Sequence, residues 1–447
     1  MVDRDAFKTL DVALRVGELL LANGAGAADV TATMLAVTRA CGLHGVSVDV
    51  TFTELTLNHQ PHHDDPGLVQ KRSVRHREID YEDLTLVDHI VRALLAGQID
   101  RDDARARLAR LNAHGHRRPA WAVTLGWGVM GAGTAALLGG GPLVGVLAFV
   151  AAMGIDRIQR AMSAQELPSF YQQVAGGLLA SLLAVVAVAV GLPVTPAEVI
   201  TTGIIMLLSG LGLVGAAQDA LTGFPVTANA RILEATLATV GIIAGVSGGL
   251  TVGSVLGVDL GSLRPAGPDL SDLPVVVLGA AVSAAAFAFA AYSPLRALLP
   301  IALVGALGQT VAALMSAAEF GATWAAATAA VLIGAVSYSA AGRIRVPPLV
   351  VVVSAVVPLL PGLSIYAGLF NLADGRGGTL QIVTAVATAL ALASGVILGQ
   401  YLAQPLRRGG RRLESRLSGP RLVGPLRVRP AASRRVGHNV RHDHHSS

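Results

Sequence analysis

The chain is poor in cysteine, lysine and aromatic residues, and each shortage excludes something. Its 447 residues hold one cysteine, Cys41, so no intrachain disulfide forms and no Cys-based metal site exists. Lys8 and Lys71 are the only lysines, which leaves the positive charge almost wholly to arginine. Nine Phe and three Trp are too few for an aromatic-rich aqueous core. Charged residues make up 14%, against about a quarter in a soluble domain. With 53% hydrophobic residues and a mean hydropathy of +0.59, that deficit excludes a single water-soluble globule. There is no Gly-X-Y period among the 51 glycines, so they point to close helix-on-helix packing rather than collagen. No Gly-x4-Gly-Lys-Ser/Thr phosphate loop occurs, and the Gly-x-Ser-x-Gly string at Gly245-Val-Ser-Gly-Gly249 lies inside a long apolar run, not at the strand-to-helix elbow a hydrolase needs. ATP-driven transport by this chain alone is therefore unsupported, and no cofactor is expected.

What the chain does have is apolar length. From Trp121 onward ten segments approach the span of a bilayer: 121–138, 141–155, 174–192, 198–217, 235–256, 274–292, 295–315, 321–341, 347–370 and 379–402. Arginines sort with this count. Arg117, Arg118, Arg157, Arg160, Arg231, Arg296, Arg343 and Arg345 fall in alternate loops taken as inner, and only Arg264 and Arg376 in the outer ones. The net charge of +5 is thus a positive-inside signature, and no nucleic acid is expected as partner. Both termini are expected in the cytoplasm, because Asp3, Arg4, Asp5 and Lys8 interrupt any signal-peptide core.

The fold expected is a polytopic α-helical membrane protein of about ten transmembrane helices with a small α+β cytosolic N-terminal domain. The domains expected are 1–118 (soluble), 119–257 and 258–404 (two membrane halves of five helices) and 405–447 (a basic, disordered tail near anionic lipid). Two runs of five helices would sit in opposite orientations, as in inverted-repeat transporters, with ten helices lacking internal symmetry as the alternative. In the soluble part, Leu10, Leu14, Gly17, Leu20 and Leu21 share a helical face, Asn23-Gly24-Ala25-Gly26 ends it, and Asp29 is placed to cap a second helix. The alternation from Val46 to Thr53 predicts one strand, with Glu54 at its end, and a weaker strand follows near Val69 to Arg75.

Polar residues at membrane depth are the candidate functional positions, because burying them in hydrocarbon costs several kcal/mol unless a pathway or partner justifies it. Gln218, Asp219, Thr222, Gly223 and Pro225 follow the fourth run, and Asn229, Arg231 and Glu234 come next. They read either as a substrate or proton site near the inner mouth or as an ordinary loop with Asp219 paired to Arg231. The ninth run carries Pro358, Pro361 and Gly362, with Ser364 and Tyr366 beyond. Two prolines three apart remove amide donors and predict a broken helix, of the kind that lines binding sites in secondary transporters. Gln309 lies inside the seventh run, and the polar stretch from Asp156 to Phe170 predicts an interfacial helix or a solvated connector. His59, His62, His63, Asp64, Asp65 and His76 have metal-ligand chemistry but no closed-site spacing, so a polar loop is preferred and no metal is assigned. Glu54, His44 and Asp49 supply the parts of a hydrolase site without its motif, and Cys41 has no catalytic context.

Four strings in this order resemble the threonine/serine exporter family: Gly17 to Ala28, Val46 to Glu54, Gln218 to Val226, and Pro358-Leu-Leu-Pro-Gly362. The resemblance covers about residues 10 to 405. It implies a bacterial plasma-membrane exporter of small hydroxy amino acids, driven by the proton motive force. Partners implied are the amino-acid substrate, protons and the lipid bilayer, with a homo-oligomer left open. Two-chain forms similar to this family are associated with succinate export, so a dicarboxylate exporter is the alternative substrate reading. A membrane-anchored hydrolase acting through the N-terminal domain is the alternative class.

Overall fold

The computed structural model describes residues 4–61, 66–74, 79–111, 118–208, 210–258, 272–373 and 377–406. At the N-terminal end, helix α1 (Arg4–Ala22) buries Leu10, Leu14, Gly17 and Leu21 along one face, and the chain turns at Gly24 with φ 86°. Helix α2 (Ala27–Ala40) packs so closely on α1 that a Cβ on Gly17 would lie 2.4 Å from the Met34 sulfur. Three antiparallel strands follow in the order β1 (Val46–Val50), β2 (Glu54–His59) and β3 (Leu68–Ser73). The expected single strand is therefore a hairpin. Its alternation runs unbroken through Thr51 to Thr53, but Thr51 N–H donates to Glu54 O at 2.9 Å, which closes a turn and makes Glu54 the first residue of β2. Helices α3 (Tyr81–Leu95), capped by the Asp80 carboxylate on the Glu82 and Asp83 amides, and α4 (Arg101–Leu111) complete the four helices and three strands described here.

Beyond residue 118, eight helices among the described residues are long and apolar enough to cross a membrane: α5 (Ala120–Leu137), α6 (Pro142–Ser163), α7 (Ser169–Ala189), α10 (Pro225–Val255), α11 (Leu273–Ala290), α12 (Leu295–Ala317), α13 (Ala322–Ile344) and α16 (Thr379–Leu406). Two further spans are bent pairs. Helix α8 (Pro196–Gly203) runs through a 3-10 turn at Ile205–Leu207 into α9 (Gly210–Leu221), and α14 (Pro348–Val356) runs through a 3-10 turn at Val357–Leu359 into α15 (Gly362–Ala373). The pairs bend by 47° and 46°. The second break is the one the prolines predict. The first occurs in a run without proline, at Leu208 and Gly210. The polar stretch from Asp156 is neither a separate interfacial helix nor wholly a connector, since α6 continues to Ser163 and α7 begins at Ser169.

Element spacing repeats along the chain. Helices α5 and α11 begin at 120 and 273, α6 and α12 at 142 and 295, and α7 and α13 at 169 and 322, each 153 residues apart. The 3-10 turns begin at 205 and 357, and α9 and α15 at 210 and 362, 152 apart. Helices α10 and α16 begin at 225 and 379. Packing repeats with it, because α5–α6, α6–α7, α7–α10 and α9–α10 recur as α11–α12, α12–α13, α13–α16 and α15–α16. The equivalent helices α5 and α11 lie antiparallel, with Gly126 against Ala290, Gly133 against Ser283 and Gly279 against Leu137.

Glycine makes these contacts. A Cβ on Gly245 would sit 2.1 Å from Val174 O and one on Gly399 would sit 2.0 Å from Val331 O, both backbone atoms of the facing helix. Neither helix can yield without losing the interface. Gly245→Val and Gly399→Val are each expected to destabilise by about 1–3 kcal/mol or more through overpacking, read as a lowered Tm of detergent-purified protein. Gly248→Val, whose Cβ would meet only a Leu178 methyl at 3.9 Å, is the control expected to leave Tm nearly unchanged.

Candidate functional site

The two broken spans cross each other at their breaks. A Cβ on Gly210 would lie 2.8 Å from Leu360 Cβ, and one on Gly362 would lie 2.8 Å from Leu208 Cβ, so each break presses on the other. Leu208 and Leu360 are both extended, at ψ 126° and 137°. Extended backbone inside an apolar bundle leaves carbonyls and amides that need a partner or a cavity. A cavity is there. About 460 Å³ opens beside the second break, on the side away from the N-terminal domain, lined by Pro358 and Pro361 with the polar groups of Gln309, Ser364, Thr384 and Thr388. No charged side chain lines it among the described residues. Local charge comes instead from helix ends, positive at the start of α15 and negative where α14 stops. Gln309, ambiguous in sequence, is thus beside the predicted break. Thr384 and Thr388 carried no signal, being two hydroxyls among many on an apolar helix.

Of the other residues expected in the second half, Gly362 serves the crossing itself. Tyr366 stacks on Phe370 at 5.9 Å and packs against the buried cluster of Ile155, Leu207 and Ile242, outside this cavity.

Gln218, Asp219, Arg231 and Glu234 lie elsewhere, on the side of the N-terminal domain. Gln218, Arg231 and Glu234 line a cavity of about 200 Å³ together with Asn23, Gly26 and Val353. Asp219 is fully buried and holds an ion pair with Arg231 at 2.9 Å. Its Oδ1 accepts the Ala27 amide at 2.9 Å, so a carboxylate from the membrane part caps the first turn of α2. Arg231 also donates to Ala25 O at 3.3 Å, and Thr227 to Val50 O at 3.4 Å. The expected cap, Asp29, sits inside that first turn instead. Its Oδ2 is buried without a hydrogen-bond partner, and burial, then the nearby Asp219 charge, push its carboxyl well above the ordinary range. Among the described residues, the cavity lined by Gln218, Arg231 and Glu234 and the one beside the Pro358–Gly362 break share no lining residue.

The rest of the Gln218–Asn229 stretch makes a turn. Thr222 Oγ1 donates back to Gln218 O at 2.9 Å, the Phe224 amide to Asp219 O at 2.8 Å, Gly223 takes φ 93°, and Pro225 opens α10. Those bonds occupy the Gln218 and Asp219 carbonyls within the turn. Pro225 and Asn229 are exposed.

The hydrolase parts are engaged separately. Glu54 pairs with Lys71 at 2.6 Å, the His44 ring meets Gly42 O at 3.1 Å, and burial raises the Cys41 thiol, the opposite of an activated nucleophile. His59 lies in β2, while His62, His63, Asp64, Asp65 and His76 lie outside the described residues. Among the described residues no group of three or more His, Cys, Asp or Glu side chains is arranged to hold a metal ion.

A helical bundle of eight to ten spans, with two broken helices crossed at a neutral cavity, has the architecture of a multi-pass membrane transporter. Comparison with known proteins specifies which. A family model described as "Putative threonine/serine exporter" matches residues 11–253, and a second, described as "Threonine/Serine exporter, ThrE", matches residues 276–402. The chain belongs to the threonine/serine exporter family. It is 37% identical over 442 residues to a protein of Mycobacterium tuberculosis named "Probable threonine/serine exporter", covering 95% of this chain and 83% of that one. It is 34% identical over 412 residues to the "Threonine/serine exporter" of Corynebacterium glutamicum, covering 89% and 83%. No solved structure matches. The chain is thus a multi-pass bacterial membrane protein and a transporter.

Two outcomes are expected of the buried cluster. Asp219→Ala leaves Arg231 buried without its counter-ion and is expected to cost about 3–5 kcal/mol, read as a lowered Tm. Asp29→Asn is expected to stabilise in a pH-dependent way. A raised carboxyl pKa favours the folded state at low pH and penalises it as pH rises and the unfolded carboxyl ionises. The gain in Tm over wild type should therefore be small near pH 4, grow with pH up to the raised value, and then level off.

Proposed function

We propose that the chain exports small hydroxylated amino acids, threonine and serine, from the cytoplasm by secondary active transport driven by the proton motive force. The observation that carries this reading is the crossing of two broken helices beside a neutral, hydroxyl- and amide-lined cavity. A zwitterion needs one weakly positive and one weakly negative partner, and helix ends at a break supply both, without a side-chain charge to hold the substrate too firmly. Gln309, Thr384 and Thr388 supply neutral donors and acceptors for a substrate hydroxyl. The same neutrality disfavours succinate, because a dianion in a cavity without a cationic side chain is poorly compensated. The names carried by the two relatives support amino acids as cargo.

The repeated spacing and the antiparallel packing of equivalent helices support two inverted halves, 119–257 and 258–404. The N-terminal domain, 1–118, sits at the arginine-rich side, so that side is assigned to the cytoplasm, with both termini there. Asp219 is assigned as the coupling carboxylate. With Asp29 beside it and Arg231 paired to it, a proton taken up by this cluster changes how firmly the N-terminal domain is held to α9 and α10.

Counterflow in proteoliposomes tests the reading. Vesicles loaded with unlabelled threonine, serine or succinate are expected to accumulate labelled threonine or serine, with a response to an imposed pH gradient. Gln309→Ala and Thr388→Val should each raise the half-saturation concentration about five- to tenfold, the loss of roughly one hydrogen bond. Asp219→Asn should keep exchange and lose the gradient response. Succinate exchange alone would sink the amino-acid assignment, and an unaltered gradient response in Asp219→Asn would sink the coupling role.

A further inference from the structure

The smaller cavity, of about 200 Å³, is walled by three parts of the molecule: Ala22 belongs to the N-terminal domain, Gln218, Arg231 and Glu234 to the first membrane half, and Val353 to the second. Its deep end reaches Leu211 and Val356, each one residue from a break. The larger cavity touches the same crossing from the other side, through Pro358, Leu359, Leu360 and Pro361. The crossed breaks thus stand between two cavities, one facing the domain and one facing away from it. The domain is seated across both halves over the smaller one. Besides the contacts of Ala27, Ala25 and Val50 with the first half, the Tyr81 amide donates to Ala291 O at 2.9 Å, the Tyr81 ring meets Phe287 edge-on at 6.3 Å, and the His89 ring lies 3.1 Å from Arg345 O. Asn23 joins the two footings, its Oδ1 accepting the Asp80 amide at 2.9 Å.

The polar lining has two poles. Arg231 and Glu234 are three residues apart on α10 and share a face, yet Arg231 is turned to Asp219. Glu234 is exposed and its carboxylate has no partner among the described residues, which leaves one uncompensated negative charge at the rim. The opposite pole is made of donors. Arg231 gives Nε to Asp219 and Nη2 to Ala25 O, while its Nη1 lies over Gly215, which also lines the cavity. The Gln218 amide nitrogen stands beside Gly26, at the start of α2 and so at the positive end of that helix. A group with one carboxylate and one ammonium matches both poles. A dicarboxylate matches one and sets its second charge against Glu234.

We propose that this cavity is a capture site for a zwitterionic amino acid entering from the domain side, in which Glu234 takes the ammonium, Gln218 and Arg231 take the carboxylate, and the N-terminal domain forms one wall. The direction of entry rests on the exporter reading; the two-pole site between domain and bundle does not. From here the substrate has only the crossing to pass before it reaches the neutral cavity. Capture is then made by charge and release from a place without side-chain charge, an order suited to export. The domain thereby becomes part of the binding apparatus rather than an attachment to it.

The test uses the full chain in membrane vesicles of both orientations, with Cys41→Ser removing the native thiol and a single cysteine introduced by Ala22→Cys, Val353→Cys or Ser364→Cys. Labelling by a small membrane-impermeant methanethiosulfonate is followed from each face with and without threonine. Threonine on the domain side should slow labelling of the Ala22→Cys and Val353→Cys proteins with one shared half-protecting concentration, because a single ligand touches both walls. Glu234→Gln and Gln218→Ala should each raise that concentration about tenfold, the loss of a hydrogen bond to a charged group, and leave protection of the Ser364→Cys protein from the other face unchanged. Gln309→Ala should do the reverse. Inner cysteines that stay unlabelled, or that label without protection while the Ser364→Cys protein is protected, overturn the capture site and leave the exporter reading standing. Protection of the Val353→Cys protein without the Ala22→Cys protein overturns the domain wall, and inner protection lost with Gln309→Ala overturns a separate site. Threonine that protects both inner cysteines in a chain unable to exchange it supports the site and sinks the exporter reading. Protection by succinate and not by threonine sinks the ligand class and the amino-acid cargo together.

Discussion

Everything in the membrane part is arranged around the mutual contact of two helix breaks. A break in a bilayer-spanning helix exposes peptide groups to a medium that cannot solvate them, and one such defect is tolerable only where protein surrounds it. Here two defects shelter each other. Leu208 packs against Gly362 and Leu360 against Gly210, so each extended stretch is walled by the side chain of the other and by a glycine that gives way to it. Four half-helices meet at that point, and their ends provide polar character at mid-depth without the desolvation penalty of a buried side-chain charge. Among the described residues, the ion pairs of the bundle, Asp156–Arg160 and Asp219–Arg231, stand toward the N-terminal domain.

How far the sequence foretold this depends on the range of the interaction. The break at Pro358–Pro361 was legible because proline acts on its own backbone. The break at Leu208 was not, because glycine is so common in this chain that a Leu-Ser-Gly step among apolar residues carries no weight by itself. Set beside Leu360-Pro361-Gly362 at the spacing of the halves, it becomes legible as the same element. The hairpin of β1 and β2 was hidden for a different reason. Thr51, Phe52 and Thr53 keep the two-residue alternation while reversing the chain, so periodicity ran on through the turn.

Long-range contacts were the least accessible. The pairing of Asp219 with Arg231 could be offered from sequence, being twelve residues away across a turn, but the third member of the arrangement could not. The amide that Asp219 receives belongs to Ala27, 192 residues earlier, and the acid expected to cap that helix, Asp29, ends up crowded beside the carboxylate that does. Local rules identified a helix start correctly and assigned its cap to the wrong residue. The cap comes from another part of the molecule, so this helix start is complete only when the domain is seated against α9.

The glycine row along α10 divides the mutational history open to that helix. One stripe, at 241, 245 and 249, faces backbone or small side-chain atoms of α7 and admits no added carbon where the approach is closest. Leu233, Leu237, Val240, Val252 and Val255 on the same helix are exposed and ask for little beyond an apolar side chain. Substitutions should therefore accumulate on this helix unevenly, drifting freely among Leu, Val, Ile and Phe at the exposed positions and standing still at the glycines. The same chemical conservatism that looks like low complexity in composition is, position by position, a sharp divide between the most and least replaceable residues in the protein.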